Sequence, residues 1–225
     1  MMFIVYFLLL LAIPLWAQFR VKKVYSKYAK MPSSLGMSGA EVARKILHDN
    51  GIHDVRIEPI RGRLSDHYDP RSKVVRLSED HYYGHSIAGT AVAAHEVGHA
   101  IQHAEHYGPL RVRHALVPVA SIGSNLSYIL ILIGILLGAA DLILPGILLM
   151  AGAVLFQLVT LPVEFNASNR AMNQVVQLGL IRNDEERQAR KVLNAAALTY
   201  VASALVAVLE LARFVLIFLG MNQSD

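Results

Sequence analysis

Ala94-His95-Glu96-Val97-Gly98-His99-Ala100 is the stretch on which the reading of this chain turns. It has the form H-E-x-x-H. On a helix, His95 and His99 stand one turn apart and project from one face. Two imidazoles at that spacing can grip one tetrahedral zinc ion, with Glu96 beside the metal-bound water. Zinc lowers the pKa of such a water to about 7, so a neighbouring carboxylate can take its proton at physiological pH. That chemistry suits hydrolysis of a peptide bond. The competing reading is a helix that happens to carry surface histidines, in a chain with ten of them. The local context weighs against it. Residues 86–104 are rich in Ala, Val and Ile and hold no Pro, which favours a helix.

Composition points to a membrane protein. Of 225 residues, 54% are hydrophobic and only 17% charged. The length allows one or two domains. The formal charge of +4 is modest, and no aromatic-plus-basic pattern argues for nucleic acid. Lys22, Lys23, Lys27 and Lys30 follow an apolar run, where basic residues signal topology. There is no Cys, so any metal must be held by His and carboxylate.

The apolar run is Met1 to Phe19. No Lys or Arg precedes it, so it reads as a retained anchor and not a signal peptide. The positive-inside rule then places Arg20 to Lys30 in the cytosol and the N-terminus outside. Ser38-Gly39-Ala40-Glu41 has the form of a capping box and opens a short helix to Asn50, with Gly51 as its stop. Val55 to Leu77 alternates around turn residues Asp69-Pro70-Arg71-Ser72. This predicts a small antiparallel sheet of two or three strands, with Pro59 weakening the first. Asp66, His67 and Asp69 read as turn and strand-end polarity and not as a second metal cluster. The helix of the histidines is expected to run to about His106 and to end at Gly108-Pro109. Val117 to Ala140 and Leu142 to Leu161 are each long enough to span about 30 Å of hydrocarbon, and form a hairpin with Asp141 at its tip. Leu161-Pro162 closes it. A polar helix from Glu164 follows, then one from Asn183 that enters a last apolar run, Ala195 to Leu219. Glu210 and Arg213 there can pair three residues apart.

A catalytic zinc held by H-E-x-x-H needs a third protein ligand. Six residues beyond His99 stands Glu105, not His, so a third histidine at that spacing is missing. His103, one turn further along the helix, is a rival ligand. Between Glu105 and Asp184 the acidic residues are Asp141 and Glu164. Asp141 lies a membrane thickness away at the hairpin tip. Two crossings return the chain to the side it left, so Glu164 and the histidines share one face. Arg111, Arg113, Arg170 and Arg182 place that face in the cytosol.

The segments Ala93 to Gln102, Leu64-Ser65-Asp66-His67-Tyr68-Asp69-Pro70-Arg71 and Leu161-Pro162-Val163-Glu164-Phe165-Asn166-Ala167-Ser168 resemble the YugP-type membrane zinc metallopeptidases. More distantly the chain is similar to the HtpX-type and CAAX prenyl peptidases, which share a gluzincin zinc helix and a downstream E-x-x-x-D segment. The resemblance implies His95, His99 and Glu164 as zinc ligands and Glu96 as catalytic base. Ser168 stands where the distant relatives have Asp, and Asn166 receives no role.

The expected protein is an α-helical membrane protein with four transmembrane helices, a small α+β zincin-like catalytic part and a short antiparallel sheet. Residues 1–20 form an anchor and residues 21–116 a cytosolic zincin-like part. Residues 117–162 form a transmembrane hairpin, residues 163–194 cytosolic helices with the third ligand, and residues 195–220 a last span. The expected function is a Zn2+-dependent endopeptidase of the bacterial-type cell membrane, its site facing the cytosol. Its partners are the bilayer and peptide or protein substrates, membrane proteins among them, and not nucleic acid. Arg170, His103 or a nearby Tyr is a candidate oxyanion partner. A non-proteolytic zinc scaffold and a small transporter are the alternatives.

Overall fold

The computed structural model describes residues 2–222. Met1, which opens the expected anchor, lies outside the described residues. In chain order the elements are α1 (Met2–Tyr28), α2 (Gly39–Asp49), β1 (Arg56–Ile60), β2 (His67–Asp69) and β3 (Val74–Ser78). They continue with α3 (Glu79–Tyr82), α4 (Ile87–Ala104), α5 (Gly108–Leu137), α6 (Ala140–Gln177) and α7 (Asn183–Asn222). Among the described residues, four helices are long and apolar enough to cross a membrane: Ile4–Tyr28, Gly108–Leu137, Ala140–Gln177 and Asp184–Met221. The chain divides into two compact units. One holds residues 15–107 and 163–199; the other holds residues 2–14, 108–162 and 200–222 of the described chain.

The first unit carries the H-E-x-x-H helix. Its α2 begins at the expected capping box: the Ser38 hydroxyl accepts from the Glu41 amide, and the Glu41 carboxylate accepts from the Ser38 amide at 2.7 Å. The apolar face of α2, Val42, Ala43, Ile46 and Leu47, is buried against α4, in one core cluster with Val75 and Leu77 of β3. α4 is capped by Ser86, whose hydroxyl accepts from the Gly89 amide. Its alanines at 88, 91, 93, 94 and 100 are all buried, so neighbours approach it closely on several sides.

α4 ends earlier than Gly108-Pro109. Glu105 is its C-cap and His106 takes a left-handed φ of 54°. The His106 amide then donates to His103 O and the Tyr107 amide to Gln102 O, the paired bonds of a Schellman stop. Gly108-Pro109 instead opens α5, where proline's missing N–H costs nothing.

The sheet is three-stranded in the order β1-β3-β2. β2 and β3 form the expected antiparallel hairpin, Tyr68 opposite Val75. Its turn is held by the Asp69 carboxylate, which accepts from the Arg71 amide and the Ser72 hydroxyl. β1 instead runs parallel to β3, so the sheet is mixed. Alternation in sequence marks a strand but not its direction, and residues 61–66 carry the chain past β3 to its far side. Pro59 is accommodated because β1 is an edge.

In the second unit α5 and α6 form the expected hairpin, turning at Gly138 (φ 64°). Its helices meet through glycines: a Cβ on Gly134 would lie 2.5 Å from Ile143, and one on Gly146 2.6 Å from Ile131. The core is Ile131, Ile143, Ile147, Met150 and Val154, with Phe214 of α7. Arg213 pairs with Glu210 at 2.8 Å and lies 4.3 Å from the Phe214 ring centroid; Tyr6 donates to Glu210 at 3.0 Å. These contacts compensate both charges within an apolar helix. Pro162 does not end α6, which runs on to Gln177.

Candidate metal centre

The site is assembled from two helices of one unit. α4 supplies His95 and His99; the part of α6 after Pro162 supplies Glu164. One ligand atom from each of these residues lies within 4.8 Å of the others. His95 Nε2 is 3.3 Å and His99 Nε2 3.5 Å from the same oxygen, Glu164 Oε2. The imidazole rings stand nearly perpendicular, 84° apart, with centroids separated by 4.8 Å. The close approach of the helices depends on Gly98, whose missing Cβ would fall 2.5 Å from the Ala167 carbonyl oxygen.

A chain of hydrogen bonds fixes which nitrogen of His99 faces Glu164. Arg170 can only donate, and its Nε donates to Asn166 Oδ1 at 2.7 Å. That oxygen therefore also accepts from Gln102 Nε2, at 2.9 Å, and the same amide donates to Val163 O at 2.8 Å. Gln102 Oε1 is left as the acceptor for His99 Nδ1–H at 3.0 Å. The neutral ring then presents the Nε2 lone pair to Glu164. Ser168 Oγ lies 3.1 Å from His95 Nδ1, so that ring also turns Nε2 toward the carboxylate.

The donor set fits a metal. A nitrogen lone pair and a carboxylate oxygen facing each other at 3.5 Å need positive charge between them, a proton or a cation. Two imidazoles and one carboxylate are an established catalytic zinc set, with a position left for water. The supports behind the histidines are of the kind that orient metal-binding imidazoles.

Glu96 is buried beside this cluster. Burial pushes its carboxyl above the ordinary range, and Asp66 and Glu164 add to the rise, while His95 and His99 pull the other way. A carboxylate so raised is a stronger base than a solvated one.

His103 does not join the cluster. Its Nδ1 bonds the Tyr68 hydroxyl at 2.8 Å, so edge strand β2 is tied to α4 one turn beyond His99. Arg170, a candidate oxyanion partner from sequence, is engaged by Asn166 and by Glu105, at 2.7 Å from the latter. Asn166, which sequence left without a role, holds both Gln102 and Arg170. The Asp66 carboxylate accepts from the Ser78 amide at 2.7 Å and pairs with His81 Nδ1 at 2.9 Å, and His81 Nε2 meets the Tyr25 hydroxyl at 2.8 Å. His67 Nδ1 donates to Ser65 O. These polar residues serve the loop and sheet, as their turn-like setting implied.

A family model described as "Putative neutral zinc metallopeptidase" matches residues 2–219. The chain is 56% identical over 220 residues to the "Putative membrane protease YugP" of Bacillus subtilis (strain 168), with 98% of each chain covered. No solved structure matches. Matched along almost its whole length, the chain belongs to the neutral zinc metallopeptidase family so described.

Proposed function

We propose that the protein is a membrane-embedded zinc endopeptidase in which His95, His99 and Glu164 hold Zn2+ and Glu96 is the general base. The observation that carries the reading is the convergence of three ligand atoms within 4.8 Å of one another, on imidazoles whose second nitrogens are already engaged. Zinc, when bound, supplies Lewis acidity, polarising a carbonyl oxygen and acidifying water.

Glu96 takes a proton from the attacking water on a carboxylate oxygen as the new C–O bond forms. It returns that proton to the amide nitrogen as the C–N bond breaks, so the leaving group departs as a neutral amine. Gln102 and Ser168 keep the imidazoles turned toward the ligand position. β2 is an edge strand packed on α4, and an extended peptide can pair with such an edge. The basic residues Arg20 to Lys30 support a cytosolic site, and the apolar helices support substrates at or in the membrane.

Glu96→Gln tests the reading. The amide keeps the shape but cannot accept the proton, so zinc content should stay at the wild-type level while casein hydrolysis in detergent falls by about 10²–10⁴-fold. Undiminished proteolysis by the zinc-loaded variant would remove Glu96 from the role of base.

A further inference from the structure

A basic groove that shares no residue with the metal centre lies between the last turns of α1 and residues 191–198 of α7. It encloses about 380 Å3, and all its lining belongs to the unit of residues 15–107 and 163–199. Arg20, Lys23 and Lys27 of α1 line one wall together with Val24, and Lys191 of α7 lines the other together with Leu198. Among the described residues, no carboxylate lines the groove. Four cations sharing one concavity favour an anion within it.

The placement identifies the anion. On α1, Trp16, Arg20, Lys23 and Lys27 fall at i, i+4, i+7 and i+11, one continuous face of the helix. The apolar run of α1 ends at Phe19, so this face passes from hydrocarbon-seeking to cationic within one turn. Trp16 is exposed, at the position where interfacial Trp is enriched. Lys191 and Leu198 of α7 repeat the pairing of a cation with an apolar side chain across the groove. A free anion would use the cations alone. A phospholipid uses both the cations and the apolar lining.

We propose that this groove binds the phosphate headgroup of an anionic phospholipid, its glycerol and upper acyl chain lying against Val24 and Leu198. The site is separate from the zinc chemistry and stands whether or not that reading holds.

The sole tryptophan of the chain gives the test, because Trp16 lies on the groove's own helical face. Full-length protein is reconstituted into phosphatidylcholine vesicles containing a small share of brominated phosphatidylglycerol or, in parallel, of brominated phosphatidylcholine. Brominated phosphatidylglycerol should quench Trp16 at a mole fraction about tenfold lower than brominated phosphatidylcholine. K23Q/K191Q should abolish most of that preference, and K23R/K191R should keep it. K22Q/K30Q removes the same charge from residues outside the groove and should leave the preference intact. Equal quenching by the two lipids would overturn the proposal. So would equal loss in K22Q/K30Q, which would mean diffuse surface charge. Reversal of the phosphatidylglycerol-specific quenching by inorganic phosphate would assign the groove to a free anion and overturn it as well.

Discussion

Replacing Gly98 by Ala adds one methyl group where α4 meets α6. That carbon would stand 2.5 Å from the Ala167 carbonyl oxygen, 3.1 Å from its carbon and 3.2 Å from its Cα. All three obstacles are backbone in a helix interior, so no side chain can swing aside. To reach ordinary contact at 3.4 Å the helices must part by about 0.9 Å. Gly98 lies between the two histidines, and Ala167 lies one turn beyond Glu164. The displacement therefore passes directly into the distance between imidazoles and carboxylate. Metal–ligand bonds tolerate about 0.2 Å, several times less. Alanine itself favours a helix by about 1 kcal/mol over glycine, while overpacking costs about 1–3 kcal/mol. Global stability should thus change little, but zinc affinity should fall by at least about tenfold. The assay is zinc stoichiometry after mild chelation, alongside the melting temperature. Gly108→Ala is the control, since nothing lies within 4 Å of its added carbon. A Gly98→Ala protein that keeps wild-type zinc and proteolysis would refute the argument that this contact sets the ligand geometry.

Glu164→Ala should lose zinc and activity, whereas His103→Ala should keep zinc, because His103 is held by Tyr68 outside the ligand cluster. Zinc stoichiometry of the two purified variants decides, and the reverse pattern would exchange the assignments. Gln102→Leu leaves His99 Nδ1 and Val163 O without their partner, so zinc affinity should drop by about 10–100-fold with the helices still folded; unchanged affinity by competitive chelation would show that the ring needs no such support. Burial alone would raise the Asp66 carboxyl, but the hydrogen bond and charge of His81 and the Ser78 amide outweigh it and hold it below its ordinary value. A depressed native pKa stabilises the fold above the unfolded pKa of about 4, and that contribution is lost as pH falls through the native value. Asp66→Asn should therefore lower the melting temperature near neutrality, with the gap to wild type closing below about pH 4; an equal gap at both pH values would contradict the linkage.

What was legible in the sequence is what short-range physics decides. Ser38 and Glu41 satisfy each other's amides within four residues, so the start of α2 could be read without any tertiary partner. Apolar length alone marked the long helices and the α5–α6 hairpin. The failures have separate causes. The stop of α4 is a His106 that takes a left-handed φ usually left to glycine, and the enrichment of histidine there is too weak to mark a helix end. Pro162 looked like a terminator, yet α6 continues through it, as helices rich in apolar residues do when the freed carbonyl finds another arrangement. The direction of β1 is set by which side of β3 the chain reaches, which alternation does not encode.

At the metal centre the division is sharper. That Glu164 lies with the histidines was readable because acidic residues are scarce between Glu105 and Asp184, and because a hairpin of two long apolar helices turns the chain back. Gln102 and Asn166 carry no role in the sequence reading, and Arg170 only that of a candidate oxyanion partner, though two of their three links have readable spacings: His99 to Gln102 is i, i+3 and Asn166 to Arg170 is i, i+4. The middle link, Gln102 to Asn166, joins two helices and exists only after they pack. That link gives the other two their meaning. Without it Asn166 and Gln102 are two polar side chains near histidines; with it, the inability of Arg170 to accept a hydrogen bond is transmitted through two amides to the tautomer of His99. The same packing that brings Ala167 against Gly98 brings Asn166 to Gln102, so ligand distance and ligand protonation are set by one helix–helix contact.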